Sequence, residues 1–130
     1  MSIITEIENV AAFTRALAEN PGIIVLKLGA TWCGPCKMIA NQAHTLMNNI
    51  MASRTDVVCY DVDVDECFEL YATLKHKKMV NGIPAILCWY KGNVGIVPDD
   101  VVIGADAHQI NLLFQRLSSR EPTVQNLLPS

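Results

Sequence analysis

The chain has 130 residues, which suits one domain and leaves no room for two of ordinary size. Half of it is hydrophobic (51%), so a core can form without metals or disulfide staples. Ten basic and thirteen acidic residues give a net charge of −3, with no basic stripe of the kind that binds nucleic acid.

The first residues, Met-Ser-Ile-Ile-Thr-Glu-Ile-Glu, lack the basic start and long apolar stretch of a secretory signal. A short strand is expected near residues 3–5. Over residues 8–19, Val10, Phe13 and Leu17 recur at helical spacing, and Asn20-Pro21-Gly22 stops that helix. Residues 23–28 form a short, β-branched-rich run, as expected of a central strand covered on both faces. Lys27 interrupts this run, and nothing approaches the roughly 18 apolar residues that span a bilayer. A soluble, cytoplasmic protein without membrane attachment is therefore expected.

Residues 36–53 read as a long helix with Ile39, Ala43, Leu46, Met47 and Ile50 as its apolar stripe, and residues 57–64 as the next strand. Asp65 is placed to cap a helix running to about residue 77, with Phe68, Leu70, Tyr71 and Leu74 apolar. The Lys-His-Lys-Lys run at residues 75–78 reads as its solvated, dipole-favoured end. Asn81-Gly82-Ile83-Pro84 is a turn, residues 85–90 a strand, Lys91-Gly92-Asn93 a tight hairpin turn and residues 101–103 the returning strand. Asp106 with Gln109 resembles a capping box for a last helix whose buried face is Ile110, Leu113, Phe114 and Leu117. Residues 119–130 have two prolines and no period, which predicts a flexible or loosely docked tail beyond a domain of residues 1–118. Alternating strands and helices, closed by a hairpin, predict an α/β fold with a central mixed sheet flanked by helices on both faces.

Five cysteines is an odd count, and only Cys33 and Cys36 stand close together. This is not a secreted disulfide framework. Cys33-Gly34-Pro35-Cys36 follows a buried strand and opens a helix. There the unsatisfied N–H groups and the positive end of the helix dipole favour thiolate over thiol. Pro35 sits where the helix needs no N–H donor. Cys33 is the expected attacking sulfur, and Cys36, one turn later, the resolving one. The competing reading is half of a zinc site. Such a site needs further ligands, and there is no second Cys-x-x-Cys, while His44, His76 and His108 are far apart in sequence, so no metal is expected. Cys59 and Cys88 lie in apolar strands and read as small core residues. Cys67 opens a helix and is expected to be exposed, with a regulatory or dimer-forming thiol as one possible use.

Ala30-Thr31-Trp32-Cys33-Gly34-Pro35-Cys36-Lys37-Met38-Ile39 resembles the active-site segment of the thioredoxin family. Val62-Asp63-Val64-Asp65, Gly82-Ile83-Pro84, Lys91-Gly92 and Gly104-Ala105 resemble further family segments, in the right order over roughly residues 3–118. The resemblance implies a thioredoxin fold and protein disulfide reductase activity. It implies electrons drawn from NADPH through thioredoxin reductase, with no bound cofactor and a monomeric protein. It also implies a cis peptide before Pro84, and a flat apolar patch around Cys33 made by Trp32, Gly34, Pro35, Ile83, Pro84, Gly104 and Ala105 that receives disulfide-containing protein substrates.

Three features depart from the family pattern. Most relatives carry a buried acid six residues before the first cysteine, where this chain has Lys27. The partner position on the neighbouring strand, commonly lysine in bacterial relatives, is Asp61 here. The two are expected to pair beneath the active site, because a lysine buried without a partner is costly. As a cation Lys27 would favour the Cys36 thiolate, and as a neutral amine it could act as a base. It could instead snorkel to water with no part in catalysis. Asn41 replaces a helix-kinking proline, so a straighter helix is expected. Residues 95–102 lengthen the last hairpin, with Pro98-Asp99-Asp100 read as a turn. These departures keep a second reading open, an interaction or redox-sensing module with minor turnover.

Overall fold

The computed structural model describes residues 2–122. Four strands form one sheet: β1 (Ile23–Gly29), β2 (Val57–Asp63), β3 (Ala85–Tyr90) and β4 (Asp100–Ile103), in the order β2-β1-β3-β4. The pairing of β1 with β2 is parallel, and the other two are antiparallel, so the sheet is mixed as expected. Every residue of β1 is buried, which is why it reads as a continuous apolar run.

Alternation along the strands sends side chains to two separate cores. Ile23, Val25, Cys59, Ile86, Cys88 and Val102 pack with α2 (Gly34–Ser53) and α4 (Ala107–Ser118). Ile24, Leu26, Leu28, Leu87 and Trp89 pack with α1 (Val10–Ala18) and α3 (Phe68–His76) on the other face. The α4 face is Ile110, Leu113, Phe114 and Leu117, all buried, as the spacing predicts. Asn9 caps α1 through Ala12 N–H, and Asp106 caps α4 through Gln109 N–H.

The structure corrects several local expectations. The strand near residues 3–5 is a single parallel bridge between Ile4 and Tyr60. Asp65 does not cap α3, which starts later with Cys67 as N-cap and no side-chain cap bond. Phe68 is exposed, because α3 turns Leu70 and Leu74 inward instead. Asp100 already belongs to β4, whose start is fixed when Asp99 N–H donates to Cys88 O. The lengthened connection of residues 91–99 is internally tied, with Asn93 Nδ2 donating to Val97 O and Trp89 Nε1 to Gly95 O. Helix α2 runs unbroken through Asn41 for 20 residues.

The beginning of the expected loose tail is anchored. Arg54 Nη1 donates to Leu117 O and Arg120 O, both at 2.8 Å, and the Arg120 guanidinium lies 3.4 Å over the Tyr90 ring. Residues 123–130, the rest of that tail, lie outside the described residues.

Candidate active site

Helix α2 begins one residue after Cys33, which serves as its N-cap in extended conformation. The Cys33 sulfur accepts the Cys36 backbone N–H at 3.2 Å, so a helix-start donor that would otherwise lack a partner points at this sulfur. Pro35 occupies the first turn, where no donor is lost. The two sulfurs are joined as a disulfide, and both cysteines are buried. The 3-residue spacing of the pair on a helix start makes this closure possible without moving the backbone.

The expected surface residues come from three loops that meet at Cys33. Trp32 is exposed, with Gly34 and Pro35 beside it in sequence and equally open. The Ile83 carbonyl oxygen lies 4.0 Å from Cys33 Sγ, and the peptide from Ile83 to Pro84 is cis. Gly104 N–H donates to Pro84 O at 2.7 Å, which joins the Gly104-Ala105 loop to the cis segment. Gly104 has φ +97°, a conformation that favours glycine. Ile83, Gly104 and Ala105 are half-buried, but Pro84 is buried. Its ring therefore lies under the surface and not in the exposed patch as expected, because it leads directly into the buried run of β3.

Two contributors were absent from the sequence reading. Asp65 accepts a hydrogen bond from Trp32 Nε1 at 2.8 Å, so the residue expected to cap a helix anchors the indole instead. Met38, one turn beyond Gly34 on α2, is strongly exposed. The Asp of Val-Asp-Val-Asp was visible in the sequence, but nothing local said which way it would turn.

Beneath Cys36 the strands bring Lys27 and Asp61 into register as direct neighbours. Lys27 Nζ and Asp61 Oδ1 are 3.1 Å apart, with Lys27 buried and Asp61 nearly so. The amine does not snorkel to solvent. Both groups border the space above Gly29: a Cβ added there would lie 3.5 Å from Lys27 Nζ and 3.6 Å from Cys36 Sγ. An open cavity of about 350 Å³ adjoins both, lined by Lys27, Gly29, Cys36, Ala40 and Asp61, with Asp63 and Glu66 further along its wall. Charged side chains stand in its mainly apolar wall, and it is large enough to hold water. The other oxygen of Asp61 meets His44 Nε2, a partner the sequence reading did not connect.

The remaining cysteines are free thiols, and all three are buried. Cys67 is thus not exposed as expected. Burial, followed by the nearby Asp63 and Glu66 charges, pushes its thiol up to about 11. Burial pushes the Cys59 thiol up to about 12, and that of Cys88 well above the usual thiol range. None of the three competes with Cys33 as a nucleophile. Among the described residues no group of three or more His, Cys, Asp or Glu could hold a metal ion, and no helix is long and apolar enough to cross a membrane.

The thioredoxin family model matches residues 4–114. Thioredoxin-2 of Saccharomyces cerevisiae is 30% identical over 104 residues, covering 80% of this chain and 88% of that protein. Thioredoxin of Mus musculus is 40% identical over 74 residues, covering 56% of this chain and 67% of that one. Among solved structures, Malassezia sympodialis thioredoxin superposes with a TM-score of 0.69 at 24% identity, covering 92% of this chain and 96% of that chain. Trichomonas vaginalis thioredoxin gives a TM-score of 0.65 at 26% identity, covering 88% and 96%.

Proposed function

The chain belongs to the thioredoxin family, and from that premise we propose how its residues divide the work of reducing a disulfide. The protein is a thiol-disulfide oxidoreductase whose Cys33–Cys36 pair passes between dithiol and disulfide. The observation that carries the division of labour is the helix start: Cys33 sulfur accepts the Cys36 N–H at the positive end of α2.

Cys33 thiolate attacks one sulfur of a substrate disulfide. A Cys33–substrate bond forms, the substrate bond breaks, and one substrate thiolate leaves. Cys36 then gives up its proton and attacks Cys33 Sγ. The Cys33–Cys36 bond forms, and the second substrate thiolate leaves and is protonated from solvent. The substrate is reduced by two electrons and the pair is oxidised. Lys27 supports the second step as a fixed cation near Cys36, with Asp61 as its counter-charge. Trp32, Gly34, Pro35, Ile83, Gly104 and Ala105 receive the extended segment around the substrate disulfide, with Pro84 shaping the loop from below.

Thioredoxin reductase, drawing on NADPH, restores the dithiol, and the protein works as a monomeric electron carrier in the cytoplasm. The test is insulin reduction coupled to thioredoxin reductase and NADPH. Turnover is expected for the intact chain and none for Cys33→Ser, while Cys36→Ser is expected to stall as a stable mixed disulfide. No turnover with an intact cysteine pair would overturn this reading.

A further inference from the structure

Asp61 is held from two sides. Its Oδ1 faces the buried Lys27 amine, and its Oδ2 faces Nε2 of His44, whose side chain is half exposed. The connection is built by α2. Cys36, Ala40 and His44 stand four residues apart, which stacks them along one stripe of the helix. Cys36 and Ala40 line the cavity beside Lys27, and the small Ala40 side chain keeps that space open. His44, one turn further on, reaches over to the far side of the carboxylate.

The arrangement bears on charge. A cation near Cys36 Sγ favours its thiolate, and a carboxylate moving toward the sulfur would cancel that field. Lys27 has three N–H donors and one protein acceptor among the described residues, Asp61 Oδ1. The position of Asp61 therefore decides where the amine points. An N–H donor on Oδ2 holds the carboxylate toward solvent. Both the neutral imidazole with its proton on Nε2 and the imidazolium supply such a donor.

We propose that His44 is a positioning residue for the resolving step: it holds Asp61 from the solvent side, so that the Lys27 ammonium stays beside Cys36 Sγ. The proposal rests on the assignment of Cys36 as the resolving thiol. The step it affects is the second one, in which Cys36 thiolate displaces the substrate sulfur from Cys33. The Cys36 proton leaves through the open cavity that Cys36 lines. The attack of Cys33 on the substrate lies outside its reach.

A symmetric aromatic disulfide, dithiobis-nitrobenzoate, separates the two steps, because each releases one coloured thiolate. Single-turnover stopped-flow with the fully reduced chain is expected to show an unchanged first release in His44→Ala. The second release is expected to slow by about three- to tenfold, the scale of one hydrogen bond's net contribution. His44→Gln keeps an N–H donor without a charge and is expected to restore the second release to within about twofold of the unaltered chain. A second release unaffected by His44→Ala overturns the proposal. So does equal slowing of both releases, or a His44→Gln variant as slow as His44→Ala. Absence of both releases in the unaltered chain would instead overturn the reductase reading itself.

Discussion

Two buried ion pairs sit at opposite ends of the same two strands, and they differ in how fully their donors are used. At the start of β2, Arg54 makes a two-pronged contact with Asp56, at 2.9 Å on each prong. Its remaining donors reach Leu117 O, Arg120 O and Glu121 O, so all five guanidinium N–H groups have acceptors. Asp56 O in turn accepts Ile23 N–H at the start of β1. At the other end Lys27 has Asp61 alone among the described residues, next to a cavity and a reactive sulfur. A saturated network fixes structure. A buried cation with donors unused among the described residues, bordering the same cavity as the group that must become an anion, has capacity left for chemistry. The same kind of pair thus does different work according to what else its partners touch.

Substitutions should separate the two. Arg54→Met would remove the two-pronged contact from the buried Asp56 and release the end of α4, and is expected to cost about 3–5 kcal/mol in urea unfolding. Both dithiobis-nitrobenzoate releases should stay normal in the folded protein. A loss below about 1 kcal/mol would erase the contrast, since that is the scale of a surface pair. The nearest glycines sharpen it. A Cβ at Gly22 would lie 2.5 Å from Asp56 Oδ2 and 2.7 Å from Asp56 O, too close to a backbone atom to relax easily. Gly22→Ala is therefore expected to lose about 1–3 kcal/mol. At Gly29 the same methyl makes ordinary contacts with Lys27 Nζ and Cys36 Sγ. Gly29→Ala should change stability by less than about 1 kcal/mol and, because the methyl displaces neither group, leave the second release within about twofold.

Lys27→Met completes the comparison. Asp61 keeps His44 and some solvent, so the stability loss should be only about 1 kcal/mol, against several for Arg54→Met. The second release should slow by about three- to tenfold, because the Cys36 thiolate loses a neighbouring cation. The first should not. Equal slowing of both would mean that Lys27 acts on the fold and not on Cys36.

The fold was legible because its signals are local and repeated. The α4 face, the buried run of β1 and the helix-opening cysteine pair each follow from spacing within one element. The Lys27–Asp61 pair was also reachable, since a lysine inside a central strand demands a partner. What could not be read were contacts set by side-chain direction across elements. Asp65 had an evident role as a cap, but a free indole N–H at Trp32 claimed it. His44 looked like one more surface histidine until α2 was laid over β2. The actual N-cap of α3, Cys67, lies two residues beyond the expected Asp65, and Phe68 faces solvent while Leu70 and Leu74 pack inward.

Cys67 was expected to be exposed, and its chemistry is now the smallest of the expected effects. Its thiol is raised to about 11 by burial and by Asp63 and Glu66, so at pH 8 roughly one molecule in a thousand carries the thiolate. Iodoacetamide at that pH should label Cys33 of the reduced native protein and leave Cys67 unmodified, as peptide mass mapping would register. The sign follows from the raised value: labelling of Cys67 should appear only as pH climbs toward 11, or when denaturant exposes the thiol and returns it to the ordinary range near 9. Stability tied to this group is complete below that ordinary range and is lost as pH rises through it toward 11. Rapid native labelling at pH 8 would mean that the α3 start opens readily, and Cys67 would then regain the regulatory use its burial denies it.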